Sequence, residues 1–188
     1  MKNLLTAILL STCILSNAQK TKKANAVQFH SINQVGLAQG QDGSALLLQS
    51  INGIKYQTYV AGVGIGLDYY KQRSVPLFLE LRKHLFQKSS TPFVYADGGF
   101  HFIWSNVEPQ EWFVTEVKGG LYYDLGVGYN FGAFKSNAVT ISFGYSVKNK
   151  SEIINLHPER SSWPPPPSDF QKFEYSLRRY VFKMGLTL

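Results

Sequence analysis

The twelve residues YVAGVGIGLDYY, at positions 59–70, decide the fold. Every second residue from Tyr59 to Tyr69 is apolar or aromatic, whereas the positions between them carry mostly glycine, with Asp68 near the end. Successive side chains of a β-strand point to opposite sides of the sheet, so an alternation of this length indicates a strand with one apolar face. A helix would repeat its apolar residues about every 3.6 positions. We therefore predict a strand here.

The same alternation recurs along the chain. Residues 121–131, 139–147 and 180–188 repeat it, and shorter segments show it less fully. The pattern predicts eight strands in a single domain, at about residues 27–38, 44–52, 55–70, 74–87, 92–104, 117–132, 136–149 and 171–188. Asn52-Gly53 is predicted to form a hairpin turn, because Asn-Gly suits the two central positions of a two-residue turn.

The composition excludes several classes of protein. Of the 188 residues, 44% are hydrophobic, 14% aromatic and 16% charged, with a formal net charge of +7. The aromatic content excludes a disordered chain, and the glycine content excludes a coiled coil. No run of about 18 apolar residues exists, which excludes a polytopic helical membrane protein. Since no nucleic-acid-binding motif accompanies the basic balance, we expect anionic lipid rather than nucleic acid as the partner.

The first 18 residues have the layout of a secretory signal peptide. Lys2 supplies positive charge, a short apolar segment follows from Leu4 to Leu15, and Ser16-Asn17-Ala18 resembles a cleavage site. We therefore predict a signal peptide at 1–18 and one barrel domain at 19–188. Lipidation of Cys13 stays an alternative, because the residues before it loosely resemble a lipoprotein box.

The two faces of the strands indicate a membrane barrel. Tyr59 and Tyr69 are ten residues apart on one apolar face. At about 3.3 Å per residue and a tilt of about 40°, they are roughly 25 Å apart along the membrane normal, the height of an outer-membrane apolar band. The opposite face is too charged for a soluble core, since unpaired buried charge is costly. We predict that its charged residues form a lumen ion-pair network: Asp68, Glu80, Arg82, Asp97, Asp124, Arg179 and Lys183.

The connections agree with an all-β, eight-stranded antiparallel up-and-down transmembrane barrel whose termini lie in the periplasm. The second, fourth and sixth connections should then be short, as Asn52-Gly53, 87–91 and 132–135 are. The external connections should be longer, and two of them are, at 105–116 and 150–170, although 71–73 is short.

With this architecture, the chain resembles the small eight-stranded outer-membrane barrels of the OmpA and OmpX type in Gram-negative bacteria. The last strand carries the resemblance best, because its alternating residues look like the signal read by the barrel-assembly machinery. These residues are Tyr180, Phe182, Met184, Leu186 and Leu188. Leu188 stands where the family usually has Phe. The resemblance implies an outer-membrane location, with membrane lipid, lipopolysaccharide and the assembly machinery as partners.

The sequence says less about function. An eight-stranded barrel is only wide enough for side chains to fill, so we expect a filled lumen without conduction. His84 and His101 lack metal-ligand spacing, and His30-Ser31 would face opposite sides of a strand, so we expect no metal, no cofactor and no catalytic residue.

We expect a monomer with a structural or surface-recognition role through its external loops, above all through the loop at 150–169. The recognition residues predicted there are His157, Arg160, Trp163, Pro164 and Pro165. A lipid-modifying outer-membrane enzyme and a soluble exported barrel that binds an apolar ligand are the alternatives.

Overall fold

A computed structural model of the chain describes residues 27–104, 114–132, 137–156 and 169–188. These residues form eight antiparallel strands that follow one another in chain order and close into one barrel. The strands are β1 (Gln28–Gly40), β2 (Gly43–Tyr56), β3 (Tyr59–Asp68), β4 (Ser74–His84), β5 (Thr91–Ile103), β6 (Val114–Gly132), β7 (Ala138–Leu156) and β8 (Asp169–Thr187). Within these ranges, no helix is long and apolar enough to cross a membrane.

The strands are staggered around the barrel. A row of paired residues that starts at His30 on β1 passes once around the barrel and returns to β1 at Gly40, ten residues further along. Its members are, in order, His30, Gly53, Gly62, Glu80, Asp97, Asp124, Ser146, Arg179 and Gly40. A stagger of this kind goes with strands tilted by about 40° and with a narrow barrel of eight strands that side chains can fill.

The two faces of each strand differ as the alternation predicts. Leu125 is 54% exposed on the outside of the barrel, whereas its neighbour Asp124 is fully buried in the lumen. Most of the outer surface is apolar, with large exposed side chains that include Val63, Ile65, Leu77, Leu79, Leu121, Val127, Phe143, Phe182 and Met184. On the outer face of β1 and β2 a polar pair interrupts it, where Ser50 Oγ donates to Asn33 Oδ1 at 2.8 Å. An apolar belt of this size is a surface for lipid acyl chains.

The hairpin turn predicted at Asn52-Gly53 is wrong. Both residues lie inside β2, where Asn52 Oδ1 accepts a hydrogen bond from Ser31 Oγ at 2.9 Å. The turn between β2 and β3 is at Gln57-Thr58, and Gln57 has a positive φ of 54°. Gly53 is needed for a different reason: a Cβ there would collide with the backbone of β3 at Ala61.

Several strands have other bounds than their patterns predict. β2 runs on to Tyr56, so β3, predicted from residue 55, begins only at Tyr59. β6, β7 and β8 are lengthened at one end of the barrel. β7 continues to Leu156 and β8 begins at Asp169, with both paired over the added length. The predicted loop 150–170 is therefore shortened to residues 157–168, and β6 begins earlier, at Val114. The other external connections are 41–42, 69–73 and 104–113.

Residues 114–119 of β6, 149–156 of β7 and 169–178 of β8 form a three-stranded sheet, which we call the β6–β8 extension. Its strands pair with one another beyond the last pairs that join β8 to β1, at Arg179 and Gly40, and β6 to β5, at Leu121 and Phe100. A bulge between Gly119 and Tyr122 marks its start on β6. The sheet therefore projects from one end of the barrel.

Leu125→Arg should lower the free energy of unfolding by roughly 2–4 kcal/mol, because the new charge would lie against lipid. Ser151→Arg is the matched control: Ser151 lies in the β6–β8 extension, so the same side chain should be tolerated there. Urea titration in lipid vesicles measures both. Equal losses in the two variants would contradict this placement of the membrane.

Candidate functional site

The lumen holds all seven residues of the predicted ion-pair network. Each is at most 3% exposed, although they lie on five different strands. They group into three clusters at successive heights, which we call lower, middle and upper, the upper one lying nearest the β6–β8 extension.

The lower cluster is the pair Glu80 and Arg82, both on β4. Arg82 Nε lies 2.9 Å from Glu80 Oε1, and Arg82 Nη2 donates to Glu80 Oε2 at 3.3 Å. The guanidinium also stacks over the Phe93 ring, with Cζ 4.2 Å from the ring centre. Arg82 thus takes its acidic partner from its own strand and not from across the lumen.

The middle cluster joins two carboxylates to one ammonium group. Lys183 Nζ lies 2.9 Å from Asp124 Oδ2 and 3.6 Å from Asp97 Oδ2. The Tyr95 hydroxyl donates to Asp124 Oδ1 at 3.0 Å, and its ring lies 4.3 Å from Lys183 Nζ. One cation from β8 therefore serves acids on β5 and β6.

The upper cluster contains a residue that the sequence analysis missed, Lys148. Asp68 Oδ2 lies 2.5 Å from Arg179 Nη1 and 3.4 Å from Lys148 Nζ. Lys148 is 1% exposed and donates to Ser74 Oγ at 3.0 Å. It continues the polar face of β7 beyond Ser146, so the alternation was the signal that would have found it.

The stagger explains why these bases are needed. Glu80, Asp97 and Asp124 lie directly opposite one another on three neighbouring strands. Like charges in directly opposed positions repel, and the lumen offers little water to screen them. Arg82, two residues from Glu80 on β4, and Lys183, four residues from Arg179 on β8, reach this row with their long side chains. The three clusters together balance four carboxylates with four basic side chains.

Tyr70 closes the lumen above the upper cluster. It lies in the short β3–β4 connection, is 1% exposed and stacks under the Arg179 guanidinium, whose Cζ is 5.4 Å from the ring centre. Its hydroxyl accepts a hydrogen bond from Asp42 N–H at 3.0 Å, and its carbonyl accepts one from Lys148 Nζ at 3.1 Å. The next residue, Lys71, adopts a positive φ of 59°.

Two apolar clusters also lie in the lumen. One contains Ile32, Ile51, Phe78 and Tyr122, and another contains Ala38, Leu47, Tyr70, Leu177 and Val181. Ion pairs and apolar side chains therefore both occupy the described lumen, as expected of a narrow eight-stranded barrel.

The lumen histidines His101 and His84 lie near opposite ends of the barrel. His101 fills the β6 bulge, where its Nε2 lies 2.6 Å from Asn149 O and 3.2 Å from Gly120 N. His84 lies near the other end of the barrel, beside Asn130. No group of three or more metal-ligating side chains assembles among the residues that the structure describes.

On β8, the polarity of the two faces reverses where the strand enters the β6–β8 extension. On β8 the outward side chains change from Tyr180 and Phe182 in the barrel to Arg178, Ser176 and Glu174 in the extension. The other face of β8 becomes apolar, with Leu177, Tyr175 and Phe173. An outward face that is polar faces water, so this change places the edge of the lipid-covered surface between Arg178 and Tyr180.

The concave face of the extension combines aromatic and basic groups. Lys150 Nζ lies 5.0 Å and Lys71 Nζ 5.9 Å from the centre of the Tyr175 ring. Lys150 also pairs with Glu152 at 2.5 Å, and Lys71 with Asp42 at 3.1 Å. These contacts tie the extension to the short connections at the barrel mouth.

The remaining predicted residues fall in two places. The predicted recognition residues fall between the end of β7 and the start of β8, outside the described residues: His157, Arg160, Trp163, Pro164 and Pro165. Residues 1–18 also lie outside the described residues. The proposed assembly residues line the outer face of β8: Tyr180, Phe182, Met184, Leu186 and Leu188 are each 46–59% exposed. The backbone of Leu188 pairs with that of Ser31 on β1, at 2.8 and 3.1 Å.

No protein-family model and no curated protein matches the chain. Among solved structures, Neisserial surface protein A (NspA) matches with a TM-score of 0.54 and 11% identity, over 87% of this chain and 98% of its own. The outer membrane protein AlkL, studied by solid-state NMR in lipid bilayers, matches with a TM-score of 0.53 and 13% identity, over 92% of this chain and 94% of its own. The outer membrane protein OprG from Pseudomonas aeruginosa matches with a TM-score of 0.50 and 11% identity, over 85% of this chain and 94% of its own.

The chain has the fold of these outer-membrane barrels. The predicted class, an eight-stranded antiparallel up-and-down barrel, is confirmed, and with it the resemblance to small Gram-negative outer-membrane barrels. An outer-membrane location agrees with this fold and with the apolar belt around the strands.

Arg82→Met should cost about 3–5 kcal/mol of unfolding free energy, because it leaves Glu80 buried without a cation. The double variant Glu80→Leu/Arg82→Met should be more stable than that single variant. Lys172→Met/Glu174→Leu removes an exposed pair from the extension as a control and should change stability little. Unfolding in lipid vesicles gives all values, and strictly additive losses at Glu80 and Arg82 would show that the two do not interact.

Proposed function

We propose that the chain is a non-conducting barrel of the outer membrane that acts at the cell surface, through the β6–β8 extension and the connection at 157–168. The observation that carries this proposal is the contrast between the lumen and the extension: buried charged and apolar side chains occupy the lumen, whereas the extension is paired backbone that projects beyond the lipid-covered surface. A barrel without a passage offers its surface, not its interior, to partners.

The extension supports a recognition role because it is ordered by its own hydrogen bonds. β7 and β8 stay paired from Lys148 and Leu177 to Leu156 and Asp169. Phe173 and Tyr175 on its concave face are 39% and 38% exposed. Half-exposed aromatic side chains on a rigid support are the kind of anchor that binding surfaces use.

The sequence of the connection supports the same role. Trp163 is followed by four prolines, which favour an extended conformation with few alternatives to lose on binding. His157 and Arg160 add basic groups suited to phosphate. We therefore propose lipopolysaccharide, through its phosphate groups, as the partner of this end of the protein.

The outer face of β8 supports a second proposed partner, which acts while the barrel is being assembled. Its alternating aromatic and aliphatic residues lie on the C-terminal strand, which closes the barrel against β1. We propose that the barrel-assembly machinery reads these residues before closure, and that the closed barrel is a monomer.

The two alternative functions have less support. A lipid-modifying enzyme needs a nucleophile held by a base, and among the described residues no serine or threonine hydroxyl is bonded to a histidine; Ser31 Oγ donates to Asn52 instead. A soluble barrel for an apolar ligand would need an apolar cavity, whereas this lumen holds three charged clusters.

Two trimmed variants test the proposal. The first replaces residues 157–168 by Asn-Gly between Leu156 and Asp169, which are paired partners. The second replaces 151–174 by Asn-Gly between the partners Lys150 and Tyr175, which removes most of the extension as well. Both should refold into lipid vesicles with native strand content, since the barrel pairs remain. Purified lipopolysaccharide should bind the wild type, and binding should fall in the first variant and disappear in the second.

Conductance across planar bilayers completes the test. The wild type and both variants should give no stable channel steps, because the packed lumen is unchanged. Channel steps in the wild type would contradict the non-conducting barrel. Lipopolysaccharide binding that stays at wild-type strength in the second variant would contradict the assignment of recognition to the extension.

A further inference from the structure

A group of basic side chains lies in the lumen at the end opposite the β6–β8 extension. It consists of His30 on β1, Lys55 on β2, and Arg82 and His84 on β4, and we call it the basic mouth cluster. His30, Arg82 and His84 are 6%, 3% and 2% exposed, while Lys55 is half-buried at the opening. Lys55 and Arg82 lie in one register row, with Val60 of β3 between them, and this row reaches β1 at Gln28, two residues from His30. His84 is two residues from Arg82 on the same face of β4, so the register places the four side chains at one end of the lumen.

The contacts of His84 indicate which ring nitrogen carries its proton. Thr140 Oγ1 donates to Asn130 Oδ1 at 2.7 Å, which orients the amide. Asn130 Nδ2 then faces His84 Nδ1 at 3.5 Å and donates to it. Since Nδ1 accepts, the neutral ring carries its hydrogen on Nε2. That Nε2–H is buried and has no acceptor among the described residues.

Arg82 offers a second buried donor beside it. Its Nε and Nη2 face Glu80, but Nη1 has no acceptor within the described ranges. Arg82 and His84 are two residues apart on β4, so both side chains point into the lumen. His30 Nε2 likewise has no described partner.

The charge of the cluster favours an anion. Glu80 neutralises Arg82, and Lys55 has no acidic partner among the described residues, so one positive charge is left even with both histidines neutral. A buried donor without an acceptor is costly, and several such donors around one positive charge are rare in a folded protein. A group with several acceptor oxygens and negative charge would satisfy them together.

We propose that the basic mouth cluster is a binding site for a phosphate-type oxyanion. The His84 Nε2–H and Arg82 Nη1–H donate to its oxygens, Lys55 provides the opposing charge at the opening, and His30 completes the site from β1. This site is separate from the recognition surface on the extension and does not depend on it.

Inorganic phosphate is the probe for the wild-type barrel, refolded in a non-ionic detergent that carries no phosphate of its own. The ring nitrogen signals of ¹⁵N-labelled histidine should shift saturably for His30 and His84 as phosphate is added. His101 serves as the internal control, because it lies at the other end of the barrel, and its signals should not move. Chloride at equal ionic strength should shift none of the rings in this way.

Two charge-matched variants locate the site. Lys55→Gln should weaken phosphate binding by about tenfold, because it removes one charge-assisted contact. Lys83→Gln removes an equal charge from the outside of the same end, where Lys83 Nζ lies 5.1 Å from the centre of the Tyr59 ring, and should leave binding unchanged. Neither variant breaks a buried ion pair, so both should fold, which strand content in circular dichroism checks.

Saturable shifts with the expected difference between the variants support the site. No saturable shift in the wild type would overturn it, and would mean that the donors bind only water. Equal weakening by Lys55→Gln and Lys83→Gln would also overturn it, because the effect would then come from overall charge.

Discussion

The structure depends on the need to pair every backbone polar group within the lipid. No acyl chain accepts a hydrogen bond, so a sheet that crosses a bilayer has to close on itself. Here the closure joins β8 to β1 with a stagger of ten residues, from His30 to Gly40. That stagger determines which residues meet across neighbouring strands, and so determines the contents of the lumen. It brings Glu80, Asp97 and Asp124 side by side, and the buried bases are the consequence.

Charge balance in the lumen and the apolar belt outside are two results of the same alternation. Each strand gives one face to lipid and the other to the lumen. Exchanging the two faces would turn the charged side chains toward lipid. The polar interior is made compatible with burial by ion pairs, by aromatic rings beside the cations and by the two apolar clusters in the lumen. Where the strands leave the lipid, the alternation reverses, and the β6–β8 extension presents polar groups outward.

The alternation let the sequence predict the eight strands, their two faces and the barrel, as Leu125 and Asp124 illustrate. Three features were not predictable in the same way. The prediction of a turn at Asn52-Gly53 was wrong, because Gly53 lies within β2 and allows the backbone of β3 to approach closely. The partners of Arg179 and Lys183 follow from the stagger, which no local pattern reports. The extension was predicted only in part: residues 117–119 and 171–178 were predicted as strand, but 150–156 of β7 was predicted as loop. The sequence there, Ser151-Glu152-Ile153-Ile154, does not continue the alternation that identifies a strand.

The central claim is that ion pairs make the lumen a dry, packed core. The most direct measurement is the transfer of magnetisation from water to lysine side chains by solid-state NMR in lipid bilayers. Lys172, which is exposed on the extension, should receive water magnetisation quickly, whereas Lys183 and Lys148 should receive it slowly. Equally fast transfer to Lys183 and Lys172 would show a lumen filled with mobile water, and would contradict the account.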